Sequence, residues 1–324
     1  MLKRTTNALL ICCGLHICGG LTLTSAHADT LLHQERSVYS TILVKQRGSI
    51  VCLQFSVRRE QRNQSCRDER HPKRMQFAYA KMIMAALLYL EAPQRVLVIG
   101  LGGGTIPTAL KELYPTLHID AVEIDPAVVR VAEQFFDFQP DTTATVFHED
   151  ARVFVRRAAL RHRNAGTAAQ GYDLIVLDAF NGEYIPEHLM TREFLQDVHT
   201  LLADGGIVAA NTFSISRLYD AESNTYLDTF GTLANFKLTE SANRVIFATK
   251  GAHHWLAGAD HDTYRKHLIE RAKALRNVLH PYDIGITRLA RILGRKQTTQ
   301  PDWDLAAPVL TDQYAPANLL SQPQ

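Results

Sequence analysis

Excess charge of either sign is missing from this chain. Its 324 residues carry 35 Lys and Arg against 33 Asp and Glu, a net charge of +2. Charge therefore gives no reason to expect a polyanionic partner, and no nucleic-acid partner is read from it. Internal repeats and low-complexity segments are missing as well. Cysteine is scarce: Cys12, Cys13 and Cys18 lie near the start, and only Cys52 and Cys66 follow. Long apolar runs are lacking except for one, Ala8 to Leu23. Lys3 and Arg4 precede that run and Ser25-Ala26-His27-Ala28 follows it, so residues 1–28 read as a secretory signal peptide cleaved after Ala28. The mature chain is then expected to be periplasmic or secreted. An inner-membrane anchor is the alternative, although the run is short for a span and contains His16. In an exported chain, Cys52 and Cys66 are expected to close a disulfide, with two free thiols as the alternative.

What the chain does have is a 46% hydrophobic content, enough for a substantial core in one large domain or two smaller ones. It is organised around Val96-Leu97-Val98-Ile99-Gly100-Leu101-Gly102-Gly103-Gly104. Four apolar residues run into a glycine cluster, and Pro107 and the pattern to Leu113 follow: a buried parallel strand, a tight turn and a helix start. A second strand, His118 to Val122, leads to Glu123, 23 residues after Gly100. That is about the spacing at which an acid meets the ribose hydroxyls of a nucleotide. Strands at 146–149 and 172–177 end likewise in Asp150 and Asp178. Three carboxylates at the C-terminal ends of parallel strands converge on one crevice. The plainer reading is that they only cap the helices that follow.

Residues 29–74 read as a small β-domain, with strands at 38–44 and 49–57 and a charged, turn-like stretch from Arg58 to Lys73. Met75 to Leu90 reads as one helix. Strand and helix alternate from there to Lys250, with Thr191 capping one helix. Residues 251–324 form a helical extension, broken at Pro281, whose second helix is amphipathic and basic; packing on the main domain and contact with a membrane surface both fit it.

The glycine turn at 100–104, Val122-Glu123-Ile124-Asp125-Pro126, Asp150-Ala151-Arg152, Leu177-Asp178-Ala179-Phe180 and Ile185-Pro186-Glu187-His188-Leu189 together resemble the spermidine synthase (polyamine aminopropyltransferase) family, in its bacterial spermidine synthase-like branch. The tail 310–316 is similar to that branch too. The resemblance implies an α/β fold, with a class I S-adenosylmethionine-dependent methyltransferase-like (Rossmann-like) sheet and a small N-terminal β-domain. It implies no tightly bound cofactor and no metal. The co-substrate would be decarboxylated S-adenosylmethionine, or S-adenosylmethionine, and the acceptor a polyamine; a homodimer is also implied. Carried over by position, Gly100, Gly102 and Gly104 would shape the turn beside the adenosyl nucleoside. Glu123 would bind its ribose, Asp150 its adenine amino group with Ala151 packing alongside, and Asp178 would sit beside the sulfonium.

The chain also departs from the family. The family carries a second acid three residues after the first, as general base; here that place is Asn181, and Glu183 is the nearby substitute. The Tyr-His-Glu pattern of the preceding helix becomes Tyr79-Ala80-Lys81, which would bring Lys81 toward a polyamine. Three alternatives stand beside aminopropyl transfer. They are a methyltransferase, a non-catalytic polyamine or nucleoside binder, and an NAD-dependent dehydrogenase, the last leaving Asp150 and Asp178 without a role.

Overall fold

The computed structural model describes residues 29–57, 60–166, 170–180, 184–251, 260–295 and 301–314. The proposed signal peptide, Asn181 and Glu183 lie outside the described residues.

A first sheet holds four antiparallel strands in sequence order: β1 (Thr30–Arg36), β2 (Thr41–Arg47), β3 (Ile50–Val57) and β4 (Glu60–Asp68). Two expectations are corrected here. Val38 and Tyr39 do not begin a strand; they are exposed between β1 and β2. The charged run after Arg58 is not mainly turn, because its first half is β4. Pairing with β3 satisfies its backbone, and an edge strand tolerates the charged side chains that weakened the sequence signal. Cys52 and Cys66 face each other across that ladder and are joined in a disulfide.

The larger sheet runs in the order β10 (Leu233–Lys237), β11 (Asn243–Thr249), β9 (Leu202–Phe213), β8 (Tyr172–Leu177), β5 (Arg95–Ile99), β6 (His118–Val122) and β7 (Ala144–Phe147). The strands from β9 to β7 are parallel, and β10 and β11 are antiparallel. The chain enters at β5, builds outward to β7, then returns to the other side of β5 as β8. The strand order therefore reverses between β5 and β8, and ligands of such sheets bind outside the strands' C-terminal ends at that point. The strands read as continuous apolar runs because both faces are covered. On one face the core includes α2 (Thr105–Leu113) and the C-terminal pair α7 (His261–Leu279) and α8 (Ile286–Arg295). On the other it includes α4 (Ala151–Ala165) and α5 (Arg192–Leu201), with Tyr226 of α6 (Tyr219–Phe230). The apolar side of α8 thus packs inward through Ile286, Leu289 and Leu293, as domain packing requires. No helix among the described residues is long and apolar enough to cross a membrane.

The expected helix from Met75 to Leu90 is shorter. Its α-helical part, α1, is Ala78–Ile83, and a 3-10 turn, Met84–Leu88, continues it. Met82 to Leu90 is buried on every side, so no polar face marks a helical repeat there, and the sequence did not show where the helix tightens. The first sheet is held against the second by an apolar cluster in which Ile42, Val44, Val51 and Leu53 meet Val128 and Val131 of α3 (Pro126–Phe135). This docking brings β4 over the glycine turn.

Candidate active site

A cavity of about 400 Å³ opens at the switch point. Its floor is the turn after β5. Gly100 has φ +89°, and a Cβ there would stand 2.4 Å from the carbonyl oxygen of Asp178, so the close approach of β5 and β8 requires glycine. Gly102 has φ +54° and lies against Ser65 of β4, whose Oγ accepts a hydrogen bond from the Gly103 N–H at 2.9 Å. Gly100 and Gly102 line the cavity. Gly104 does not; it caps α2 from behind, against Phe138.

Glu123 follows β6 and faces the cavity. Its Oε2 accepts from the Leu101 N–H and its Oε1 from the Asp125 N–H, each at 3.0 Å. Burial raises its carboxyl above the usual range, and these backbone donors partly offset that. Each oxygen keeps a lone pair for a ligand hydroxyl. Asp125 serves as a helix cap, accepting from the Ala127 N–H at the start of α3.

Asp150 is both cap and wall. Its Oδ1 accepts from the Val153 N–H at the start of α4, and its Oδ2 lies 3.1 Å from Nε2 of His188. Ala151 packs beside it on the cavity wall.

Asp178 ends β8, and its N–H donates to the Ile99 carbonyl at 2.8 Å, locking its backbone to β5. The side chain is enclosed except toward the cavity. Burial pushes its carboxyl up to about 7, and one hydrogen bond from Asn211 Nδ2 to Oδ1, at 2.8 Å, holds it back. Asn211 Oδ1 in turn accepts from Asn243 Nδ2 at 3.0 Å. Two aromatic pairs line the same space: Phe180 edge-on to Phe213 with centroids 5.4 Å apart, and Phe77 stacked with Tyr79 at 5.7 Å. Burial and the nearby charge of Asp178 both raise the Tyr79 phenol.

The spermine/spermidine synthase domain model matches residues 76–239, which contain every one of these cavity acids. A polyamine aminopropyltransferase of Vibrio vulnificus is 44% identical over 94% of this chain and 96% of its own length. The chain belongs to the spermine/spermidine synthase family. A polyamine aminopropyltransferase of Neisseria meningitidis is 25% identical over 63% of this chain and 73% of its own. Among solved structures, a probable spermidine synthase of Corynebacterium glutamicum superposes with a TM-score of 0.59 at 18% identity, covering 76% of this chain and 93% of that one, a likeness of fold. Human methyltransferase-like protein 13 in complex with SAH superposes at 0.52 with 27% identity, covering 62% and 91%.

Within this synthase family member, the structure gathers Gly100, Gly102, Glu123, Asp150, Ala151 and Asp178 around one cavity. Lys81 does not join them. Its Nζ pairs with Asp283 at 2.5 Å, outside the cavity lining, so the expected positive charge near an acceptor is absent from that wall. Sequence reasoning gave no site role to Glu149, His188, Asn211, Asn243 and Ser65, all of which line the cavity. Of these, Glu149 carried a local signal as the neighbour of Asp150, and His188 stood in a motif of the family resemblance.

Proposed function

We propose that the chain transfers the aminopropyl group of decarboxylated S-adenosylmethionine to a primary amine of a polyamine such as putrescine. The observation that carries this reading is Asp178, a carboxyl enclosed in the wall of an acid-lined crevice and pushed up to about 7. A polyamine nitrogen has a pKa near about 10, like lysine, and must lose a proton before it can attack. An acid whose own pKa lies near neutrality is ionised often enough to take that proton and protonated stably enough to keep it. The amine lone pair then attacks the carbon bound to the sulfonium. The C–S bond breaks, its electrons pass to sulfur, and methylthioadenosine leaves as a neutral thioether. Before that step the Asp178 carboxylate also lies beside the cationic sulfur and stabilises it in a site poor in water.

Glu123 takes the ribose hydroxyls through its free lone pairs, Asp150 the adenine amino group, and Ala151 the adenine face, above the turn formed by Gly100 and Gly102. Gly104 sets that turn from behind. Glu183 is retained as a candidate base in addition to Asp178, standing in the sequence for the acid absent at Asn181. Export is part of the proposal: the basic start, the apolar run and the Ala-x-Ala site support it, as does the Cys52–Cys66 disulfide, a bond that persists in oxidising compartments.

Asp178→Asn tests the reading. Product formation should fall by about 10²- to 10⁴-fold while methylthioadenosine still binds, as measured by calorimetry. Turnover that persists in this variant would remove Asp178 from the mechanism. Methyl transfer is the alternative reading, and it is not favoured: human methyltransferase-like protein 13 is 27% identical over 62% of this chain, against 44% over 94% for the Vibrio vulnificus aminopropyltransferase. Calorimetric preference for S-adenosylmethionine over its decarboxylated form would select it.

A further inference from the structure

Asp178 receives one side-chain hydrogen bond, and the group that gives it is itself held. Asn211 lies near the end of β9 and is buried; Asn243 is the first residue of β11. In the β9–β11 ladder Asn243 pairs with Phe213 and Val245 pairs with Asn211. Residues directly opposite share a face, so both asparagines lie diagonally on the cavity face, and Thr212 and Arg244 lie on the other. Asn243 Nδ2 donates to Asn211 Oδ1, and Asn211 Nδ2 donates to Asp178 Oδ1.

We propose that Asn243 is a positioning residue for the proton-accepting group: by donating to Asn211 it fixes the Asn211 amide with its N–H₂ toward Asp178. The inference rests on the role given to Asp178 above.

The chemistry is directional. An amide can present either its oxygen or its N–H₂, and an ionised carboxylate only accepts. Burial favours the protonated acid, which would donate to Asn211 Oδ1 if the amide turned over. Asn243 occupies that oxygen. With the Asn243 amide as it stands, the turned Asn211 amide would bring two N–H₂ groups together, so the relay opposes protonation of Asp178. It also engages Oδ1 and leaves Oδ2 for the acceptor amine. Other ionisable groups face the same cavity: Tyr79 from α1, Glu123 after β6, Glu149 and Asp150 after β7, His188 before α5 and Arg62 on β4. Tyr79, Glu123, Glu149, Asp150 and His188 make no hydrogen bond to Asn211 or Asn243 among the described contacts, and the described path from Asn243 to Asp178 runs through Asn211.

The test uses the purified chain and two readouts. Carboxyl ¹³C titration, with Asp178 assigned by the signal lost in Asp178→Asn, reports its pKa directly. The pH dependence of kcat, with decarboxylated S-adenosylmethionine and putrescine, reports the same group in turnover. Asn243→Ala should raise the Asp178 pKa and the acidic limb of kcat by roughly one unit, with the KM of the donor unchanged. Asn243→Asp should shift both further, through the turned Asn211 amide and through direct repulsion between the two carboxylates. Asn243→Ala adds no charge and therefore decides: a shift in Asn243→Asp alone overturns the relay. If the titration moves and the kcat limb does not, the relay stands and the assignment of Asp178 as base falls. If Asp178 titrates as in the wild type in both variants, the relay is overturned.

Discussion

Two acids whose carboxyls burial raises lie against the same sheet, one on the α6 face and one at the cavity. Glu222 of α6 is fully enclosed, with its Oε2 2.6 Å from Nη2 of Arg244, itself wholly buried. The guanidinium also donates to Thr212 and Ser223 at 2.7 Å each and to the Tyr219 carbonyl at 3.2 Å, and it stacks on the Tyr219 ring. Among the described residues Asp178 has no cation beside it, and its one side-chain donor is a neutral amide. The strands place these environments one residue apart: Asn211 and Asn243 face the cavity, Thr212 and Arg244 face α6. Burial raises both carboxyls, but at Glu222 the guanidinium pulls back, and at Asp178 only Asn211 does. A buried acid with a full set of partners is structural. A buried acid left short of partners is poised to exchange a proton.

The sharpest way to break this comparison is to strip Glu222 of its cation. Arg244→Met keeps most of the volume and leaves an uncompensated buried carboxylate, so it should destabilise the fold by about 3–5 kcal/mol in denaturant unfolding. A loss below about 1 kcal/mol would mean that the pair is dispensable.

Asp178→Asn should do the opposite. The carboxyl pKa is raised from 3.8 to about 7 in the folded chain, so the folded state holds the proton more tightly than the unfolded one. Stability from this group is full below about pH 4 and lost as pH rises toward 7. The amide does not titrate. The variant should therefore match the wild type near pH 4 and exceed it by about 1–3 kcal/mol at pH 8, a range discounted for water in the cavity. Equal stability at both pH values would show that Asp178 is not strained by its surroundings. The same titration makes kcat fall about tenfold per unit as pH drops below 7, because the base is then protonated.

The two regions were not equally legible. The apolar run into Gly100, the acid at Glu123 and the strand ends at Asp150 and Asp178 are local patterns, each written within a few residues. Gly100, Glu123, Asp150 and Asp178 all line the one cavity. Asn211 and Asn243 carry no such signal, since an asparagine near a strand end is unremarkable, and their contact depends on an antiparallel pairing 32 residues apart. His188 meets Asp150 across 38 residues. Lys81 was misplaced for the same reason: its partner Asp283 is 202 residues away. The β4 strand was hidden by its own charges, which an edge position allows.

Ser65 sharpens the comparison from the far wall. It belongs to β4, yet its Oγ is the acceptor for the Gly103 N–H inside the glycine turn, so the small sheet helps shape that turn. Ser65→Ala removes that acceptor and leaves a buried N–H without it, at about 1–2 kcal/mol. The loss falls on the turn that cradles the donor. The Kd of methylthioadenosine should rise about five- to thirtyfold, with kcat at saturating donor and its pH profile unchanged. A variant that binds normally but turns over slowly would show that β4 acts on the chemistry itself and not through the glycine turn.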